Sequence, residues 1–219
     1  MNGATHLPRS RRRATLPGVV RQLALFRAAA PSFDKRFEKL VRTDLGDGAW
    51  IDRVPSWVSG QDVLFDRLER GTRWRHERRP MYDQVVDVPR LIAGLPEDGD
   101  GDPILDEMRA ALNQRYATDF ARTSLALYRD GKDSVAFHGD RIARDLPDAL
   151  VATVSLGAPR RLLLRRAAGG RSVASFELGL GDLFVMGGTC QRTFRHAIPK
   201  VAVAAPRMAV MFRPVWTPP

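Results

Sequence analysis

The chain has 219 residues, 44% of them hydrophobic, a formal charge of +10 and a single cysteine. That length buries one good core, and no window holds the run of about eighteen apolar residues that spans a membrane, so neither a disordered chain nor a membrane protein is expected. Cys190 cannot form an internal disulfide; it reads as a buried thiol and suits a cytoplasmic, reducing compartment.

Residues 1–20 read as a flexible basic arm, punctuated by Pro8, Pro17 and Gly18, without the long apolar run and cleavage site of a secretory leader. The first 43 residues hold ten Lys or Arg against two acids, Asp34 and Glu38. A basic arm on a nearly neutral body is an electrostatic footprint for nucleic acid, and equally a solvated tail. VVRQLALFRAAA has helical spacing and stops at Pro31. GAWIDRVPSWVSGQDVLFDRLERG predicts a short strand, a turn and a helix with Val63, Leu64 and Leu68 on one face. Pro96 to Pro103, PEDGDGDP, is a loop whose acids lack the spacing of a calcium loop, and ILDEMRAALNQRY after it is an amphipathic helix. From Ser124 the character changes: SLALYRD, SVAFH, LVATVSLG, RRLLLRR, SVASFEL, DLFVMGG, RTFRHAI and RMAVMFR follow one another, separated by Gly, Pro and Asp. Short strands at such regular spacing, with no long helix between them, predict an antiparallel sandwich or barrel.

Two short stretches carry chemistry. In SVAFHGD, His138 and Asp140 are two residues apart, so a continuing strand projects both to one side. That offers one imidazole nitrogen and one carboxylate oxygen to a metal, and His196 in RTFRHAIPK is the candidate third ligand. His6 and His76 lie in basic surroundings unsuited to a cation. Two His and one carboxylate match an open-sided Fe(II) oxygenase site, although His-x-Asp by itself is a common coincidence. In RMAVMFR, Arg207, Ala209, Met211 and Arg213 share one side of the predicted strand. Two arginines on a face otherwise apolar are costly unless they meet anions, such as a dicarboxylate gripped by bidentate guanidinium groups. An edge strand whose arginines reach solvent is the alternative. Tyr128, at the end of SLALYRD, could add its hydroxyl to the same anion site.

The ordered set Tyr128, His138-x-Asp140, Gly181-Asp182, His196, Arg207 and Arg213, with the phrases YRDGKDSVAFHGD, SLGAPRRLLLR, GDLFVMGGTCQRTFRHAIPK and PRMAVMFR, resembles the AlkB-like family of Fe(II)/2-oxoglutarate dioxygenases. The likeness covers roughly residues 122–214, and DVPRL (Asp87 to Leu91) more loosely. It implies a mostly β fold with flanking helices around a double-stranded β-helix, or jelly-roll, core. The expected organisation is a basic arm (1–20), a helical extension carrying a substrate lid (21–121) and a dioxygenase core (122–215). The resemblance implies Fe(II) on His138, Asp140 and His196, and 2-oxoglutarate with its distal carboxylate near Arg207 and Tyr128 and its metal-side carboxylate near Arg213. It implies O2-driven hydroxylation of an N-alkyl group on a base, with CO2 and succinate released and the alkyl carbon leaving as an aldehyde. The protein would supply position and a dry pocket.

A base cannot be oxidised inside the stack, so a flipped or single-stranded DNA or RNA substrate is expected. Such a strand needs aromatic platforms and cations. RGTRWRHERRPMYDQ (Arg70 to Gln84) interleaves Trp74 and Tyr82 with Arg78 and Arg79 at the place of the family's lid; a surface helix or hairpin with half-buried aromatics is the competing reading. Arg160 and Arg161 open a second basic stretch, with Arg165 and Arg166. The chain departs from the family pattern at Ala126 and Ala209, where many members carry Asn, and at Ile142, where an acid often helps to read the base. An acidic loop also replaces the aromatics expected after PRL. Three functions follow: dealkylation of nucleobases as direct repair by a monomer, iron-dependent hydroxylation of a protein or small molecule, or silent nucleic-acid binding.

Overall fold

The computed structural model describes residues 30–81, 84–140 and 148–214, with the backbone alone at 77–81 and 84–87. The basic arm, the helix expected over VVRQLALFRAAA up to Ala29, Tyr82 and Ile142 lie outside the described residues. Six strands and two helices come first: β1 (Ser32–Phe33), β2 (Val41–Gly46), β3 (Ala49–Val54), β4 (Val58–Ser59), α1 (Gln61–Gly71), β5 (Arg75–Met81), β6 (Gln84–Leu95) and α2 (Pro103–Tyr116). Then follow β7 (Phe120–Tyr128), β8 (Val135–His138), β9 (Val151–Gly157), β10 (Arg160–Arg166), β11 (Ser172–Leu178), β12 (Asp182–Gly188), α3 (Cys190–Thr193), β13 (Phe194–Ile198) and β14 (Arg207–Pro214). Each of the eight runs read as strands after Ser124 is a strand.

The main sheet has the order β2-β3-β12-β9-β14-β7-β6-β5, and a smaller one the order β11-β10-β13-β8. From β7 to β14 the chain passes between the sheets in a main, small, main, small, small, main, small, main sequence. That alternation closes a double-stranded β-helix, with four strands of each sheet forming the two walls. Side-chain alternation assigns the faces. Met208, Val210 and Phe212 of β14 enter the cluster that also holds Leu64, Phe65 and Leu68 of α1 and Met108 and Leu112 of α2. Ala126, Tyr128 and Ala209 enter a second cluster with Leu162, Leu164 and Ile198 of the small sheet. The helices thus cover the outside of the main sheet, and the space between the sheets is left for a site.

The helices start and stop for local reasons. The Asp102 side chain accepts from Ile104 N at 3.2 Å ahead of Pro103, and the helix ends where Ala117 turns left-handed at φ 47°. In α1 the buried face is Leu64, Phe65 and Leu68; Phe65 takes the place expected for Val63. The extension expected to be helical is a correction: beside α1 and α2 it supplies β2 and β3 to one edge of the main sheet and β6 and β5 to the other. The exposed edge strand β2, VRTDLG, has no periodic apolar face to announce it. The loop of Pro96 to Pro103 is a clamp for the hairpin of β5 and β6. Asp98 pairs with Arg75 and accepts from Gly94 N at 2.9 Å, Glu97 O accepts from Arg73, and Asp102 pairs with Arg67.

Gly187 of β12 lies under the Trp50 indole, where a Cβ would come within 2.2 Å of Cζ2. That indole is fixed between Arg42, 3.9 Å from the ring centroid, and Tyr116, at 6.1 Å. Both neighbours hold Asp52, which is fully buried, so the ring cannot retreat cheaply. Gly187→Ala is therefore expected to destabilise the fold by about 1–3 kcal/mol, read as a lower chemical-denaturation midpoint. An unchanged midpoint would show that the ring can move.

Candidate active site

The cavity between the sheets has a volume of about 40 Å³ and is lined by Arg90, Tyr128, His138, Asp140, His196, Arg207 and Arg213, among others. The register explains the meeting of the two histidines. His196 of β13 is the cross-strand partner of His138 of β8, and their rings lie 4.3 Å apart, centroid to centroid. Asp140 arrives differently from expectation. β8 ends at His138, so strand alternation does not aim the carboxylate. Asp140 N donates to the buried Gln191 Oε1 at 3.3 Å, and Arg213 Nε and Nη2 grip Oδ1 at 3.0 and 2.9 Å. Gly139 lets the chain through, since a Cβ there would meet Arg195 Nη1 at 3.0 Å and Gln191 O at 3.2 Å.

The electrostatics of the three groups differ. Burial pushes the His196 ring down to about 3, helped by His138 and opposed by Asp140, so it is a neutral imidazole at neutral pH. Burial would raise the Asp140 carboxyl, but Arg213 above all brings it down to about 2, so it is ionised. With His138 Nδ1 donating to Ala136 O at 2.9 Å, the lone pair of that ring sits on Nε2. A backbone carbonyl on the far ring nitrogen is the usual brace of a metal-bound histidine. Asp140 Oδ2 is buried without a hydrogen-bond partner, a costly position for a carboxylate oxygen unless a cation meets it. Among the described residues no three His, Cys, Asp or Glu side chains yet converge as a finished cage. The donor set of two imidazoles, that of His196 neutral, and an anionic oxygen nevertheless suits Fe(II).

Beside them lies a buried cationic wall. Arg207 is 1% exposed; its Nη2 donates to Ser155 Oγ at 2.7 Å and its Nε has no partner. Burial works against its charge, with Tyr128 opposing that effect. β14 runs between β7 and β9, so the edge-strand alternative for its arginines does not hold. Tyr128 is the register partner of Arg207 and its hydroxyl accepts from Arg90 Nη1 at 3.0 Å. Arg213 completes its shell with Ser124 Oγ at 2.6 Å.

Other candidate contacts go elsewhere. Arg160 is 3% exposed and donates to Asp130 O, Asp133 O and Pro199 O at 3.0, 2.9 and 2.7 Å. The expectation that it meets nucleic acid is therefore corrected: folding three backbone carbonyls together uses its donors. Trp74 is half-buried on the helix-side cluster, with its N–H on Glu69 O at 3.0 Å, and anchors the hairpin base. Arg161 is exposed on the outer side of the small sheet, opposite Glu177. Arg78 and Arg79 lie on β5, with side chains outside the description. Cys190 is buried and burial raises its thiol to about 12, as expected for a spectator. Sequence reading missed Arg90, Ser124, Ser155 and Gln191. Only DVPRL gave a hint of the first.

Residues 96–213 match the family model described as 2OG-Fe(II) oxygenase superfamily. An uncharacterized protein of Acanthamoeba polyphaga mimivirus is 31% identical over 113 residues, covering 51% of this chain and 58% of that protein. The Bos taurus alpha-ketoglutarate-dependent dioxygenase alkB homolog 3 is 25% identical over 183 residues, covering 72% of this chain and 63% of that one. The chain thus spans about three-fifths of the length of these relatives. The solved structure of OsALKBH1 superposes with a TM-score of 0.54 at 14% identity, covering 80% of this chain and 100% of that chain, and shares the fold. With the jelly-roll walls and their cavity, this match places the chain in the 2OG-Fe(II) oxygenase superfamily, among its AlkB-like dioxygenases, which require Fe(II), 2-oxoglutarate and O2.

Proposed function

We propose that the protein removes alkyl groups from nitrogen atoms of DNA or RNA bases, repairing alkylation damage directly. The observation that carries the reading is one cavity lined by His138, Asp140 and His196 together with the buried Tyr128 and Arg207. His138, Asp140 and His196 would hold Fe(II), and Asp140 Oδ2 would gain the cation it lacks. Arg207 and Tyr128 would take the distal carboxylate of 2-oxoglutarate, with Arg213 at the metal side. When bound, these groups supply O2-driven hydroxylation of the alkyl carbon, which leaves as an aldehyde while 2-oxoglutarate yields succinate and CO2.

The chain's own residues orient and shield. Arg213 holds Asp140 by Oδ1, which leaves Oδ2 for a metal, and Gln191 holds its backbone. Leu162, Met186, Ile198 and Met211 line the same cavity and keep bulk water from it. The nucleobase substrate rests on the family resemblance and on the basic excess, to which the exposed Arg161 belongs. A hydroxylase of protein or small molecule is the second reading, favoured by the loss of Trp74 and Arg160 to the fold as nucleic-acid contacts.

The test is to load the protein with Fe(II) without air, then add 2-oxoglutarate, air and single-stranded oligonucleotides carrying 1-methyladenine or 3-methylcytosine. Mass spectrometry should show loss of the methyl mass, abolished in His138→Ala. Iron-dependent succinate without demethylation would overturn the nucleobase reading in favour of the second. Nucleic-acid binding that is indifferent to metal, with no succinate, would leave a silent module.

A further inference from the structure

Three guanidinium groups surround one buried phenol. Arg207, Arg160 and Arg90 lie 5.2, 5.8 and 5.9 Å from the Tyr128 ring centroid. They are not equivalent. Arg160 spends its donors on three backbone carbonyls and does not line the cavity, whereas Arg90 and Arg207 both do. The nearby buried acid, Asp133, gives both oxygens to Arg129, and Arg207 has no carboxylate partner among the described residues.

The sheet register sets Arg90 and Arg207 on either side of Tyr128. Leu91 of β6 pairs with Leu127 of β7, and the next residues out, Arg90 and Tyr128, meet through the 3.0 Å hydrogen bond. Tyr128 in turn pairs with Arg207 of β14. The adjacent row along the same inner face is Ile92, Ala126 and Ala209, in register across the same three strands. That row carries no hydrogen-bonding side chain, so polar contacts to a ligand here must come from the row of Arg90. A carboxylate placed between Arg90 and Arg207 would meet guanidinium donors from both sides of the phenol.

We propose that Arg90 is a co-substrate-binding residue, gripping the distal carboxylate of 2-oxoglutarate together with Arg207 in a pocket where Ala126 and Ala209 supply no amide. This rests on the reading of the cavity as the 2-oxoglutarate site. Arg90 makes the pocket select for a second carboxylate, and 2-oxo acids ending in a methyl group are rejected because they set an apolar end against the guanidinium donors of Arg90 and Arg207.

The test is calorimetric titration of the full chain loaded with Mn(II), using 2-oxoglutarate and 2-oxopentanoate, which carries a methyl group where the former has its distal carboxylate. Wild type should bind 2-oxoglutarate roughly 100-fold more tightly than 2-oxopentanoate. Arg90→Met should lose about 10- to 100-fold for 2-oxoglutarate only, the range of a charge-assisted contact, and Arg90→Lys should recover part of it. The loss should persist in a Tyr128→Phe background, which separates direct contact from mere orientation of the phenol. Should the methionine variant not fold, Arg90→Gln, which keeps a donor for Tyr128, carries the same comparison. An affinity within about twofold of wild type, an equal loss for both acids, or a loss that vanishes without the Tyr128 hydroxyl would each overturn the proposal. A wild type that does not prefer 2-oxoglutarate would instead overturn the reading of the cavity, and it would show before any substitution is made.

Discussion

Replacing His196 with alanine is expected to abolish Fe(II) retention and 2-oxoglutarate turnover together, while the chain stays folded. His196 is a neutral imidazole, because burial holds its ring down to about 3, so its lone pair is available at any working pH. It faces His138 across paired strands, with the rings 4.3 Å apart, and among the described residues no other histidine can take its place. His76, on β5 of the main sheet, is exposed. Loss of a group that merely braces a metal ligand costs about 10- to 100-fold in affinity or activity, so loss of a ligand itself should exceed ~100-fold. Equilibrium dialysis with Fe(II) under nitrogen and succinate formation under air are the two readings. Turnover within tenfold of wild type would exclude His196 from the metal site.

Arg207→Met should move ligand affinity and fold stability in different directions. The guanidinium is fully buried with Ser155 Oγ as its hydrogen-bond partner and Nε unpartnered. A buried cation without a carboxylate costs several kcal/mol of desolvation that a methionine of similar length does not incur. The unliganded variant should therefore melt at or above the wild-type temperature, even though Ser155 loses a partner. Its affinity for 2-oxoglutarate should fall by roughly 100-fold, the worth of a charge-assisted, bidentate contact. The melting temperature should then no longer rise on addition of 2-oxoglutarate, because ligand stabilisation depends on the ratio of concentration to dissociation constant. A lower melting temperature with unchanged affinity would assign Arg207 to the scaffold.

The strand-by-strand reading after Ser124 succeeded because strand signals are local. Apolar alternation in RMAVMFR placed Met208, Val210 and Phe212 on one face and Arg207, Ala209, Met211 and Arg213 on the other, and the two clusters follow that division. His138 and His196, read from an alternating strand and from a likeness to a family pattern, meet across paired strands and line one cavity. Strand-by-strand reading failed where an element's role is set by contacts rather than by its own period. β2 and β5 are edges of the sheet, so they carry little of the alternation that one buried face imposes. Arg160 and Trp74 looked like nucleic-acid contacts because composition cannot distinguish an exposed guanidinium from one spent on three carbonyls, nor a stacking platform from an anchored indole.

The chain's own residue order determined which side chains each strand would present, since successive side chains alternate faces whatever surrounds them. It thereby put Arg207 on the inner face of β14, where the structure buries it. Which of those presented groups would become neighbours was decided by register between segments far apart in the chain. Arg90 reaches Tyr128 only because β6 pairs with β7 at Leu91 and Leu127, and one residue of slip would turn it to the opposite face of the sheet. Asp140 keeps its aim beyond the end of β8 only because Gln191 and Arg213, contributed by two other segments, hold it there.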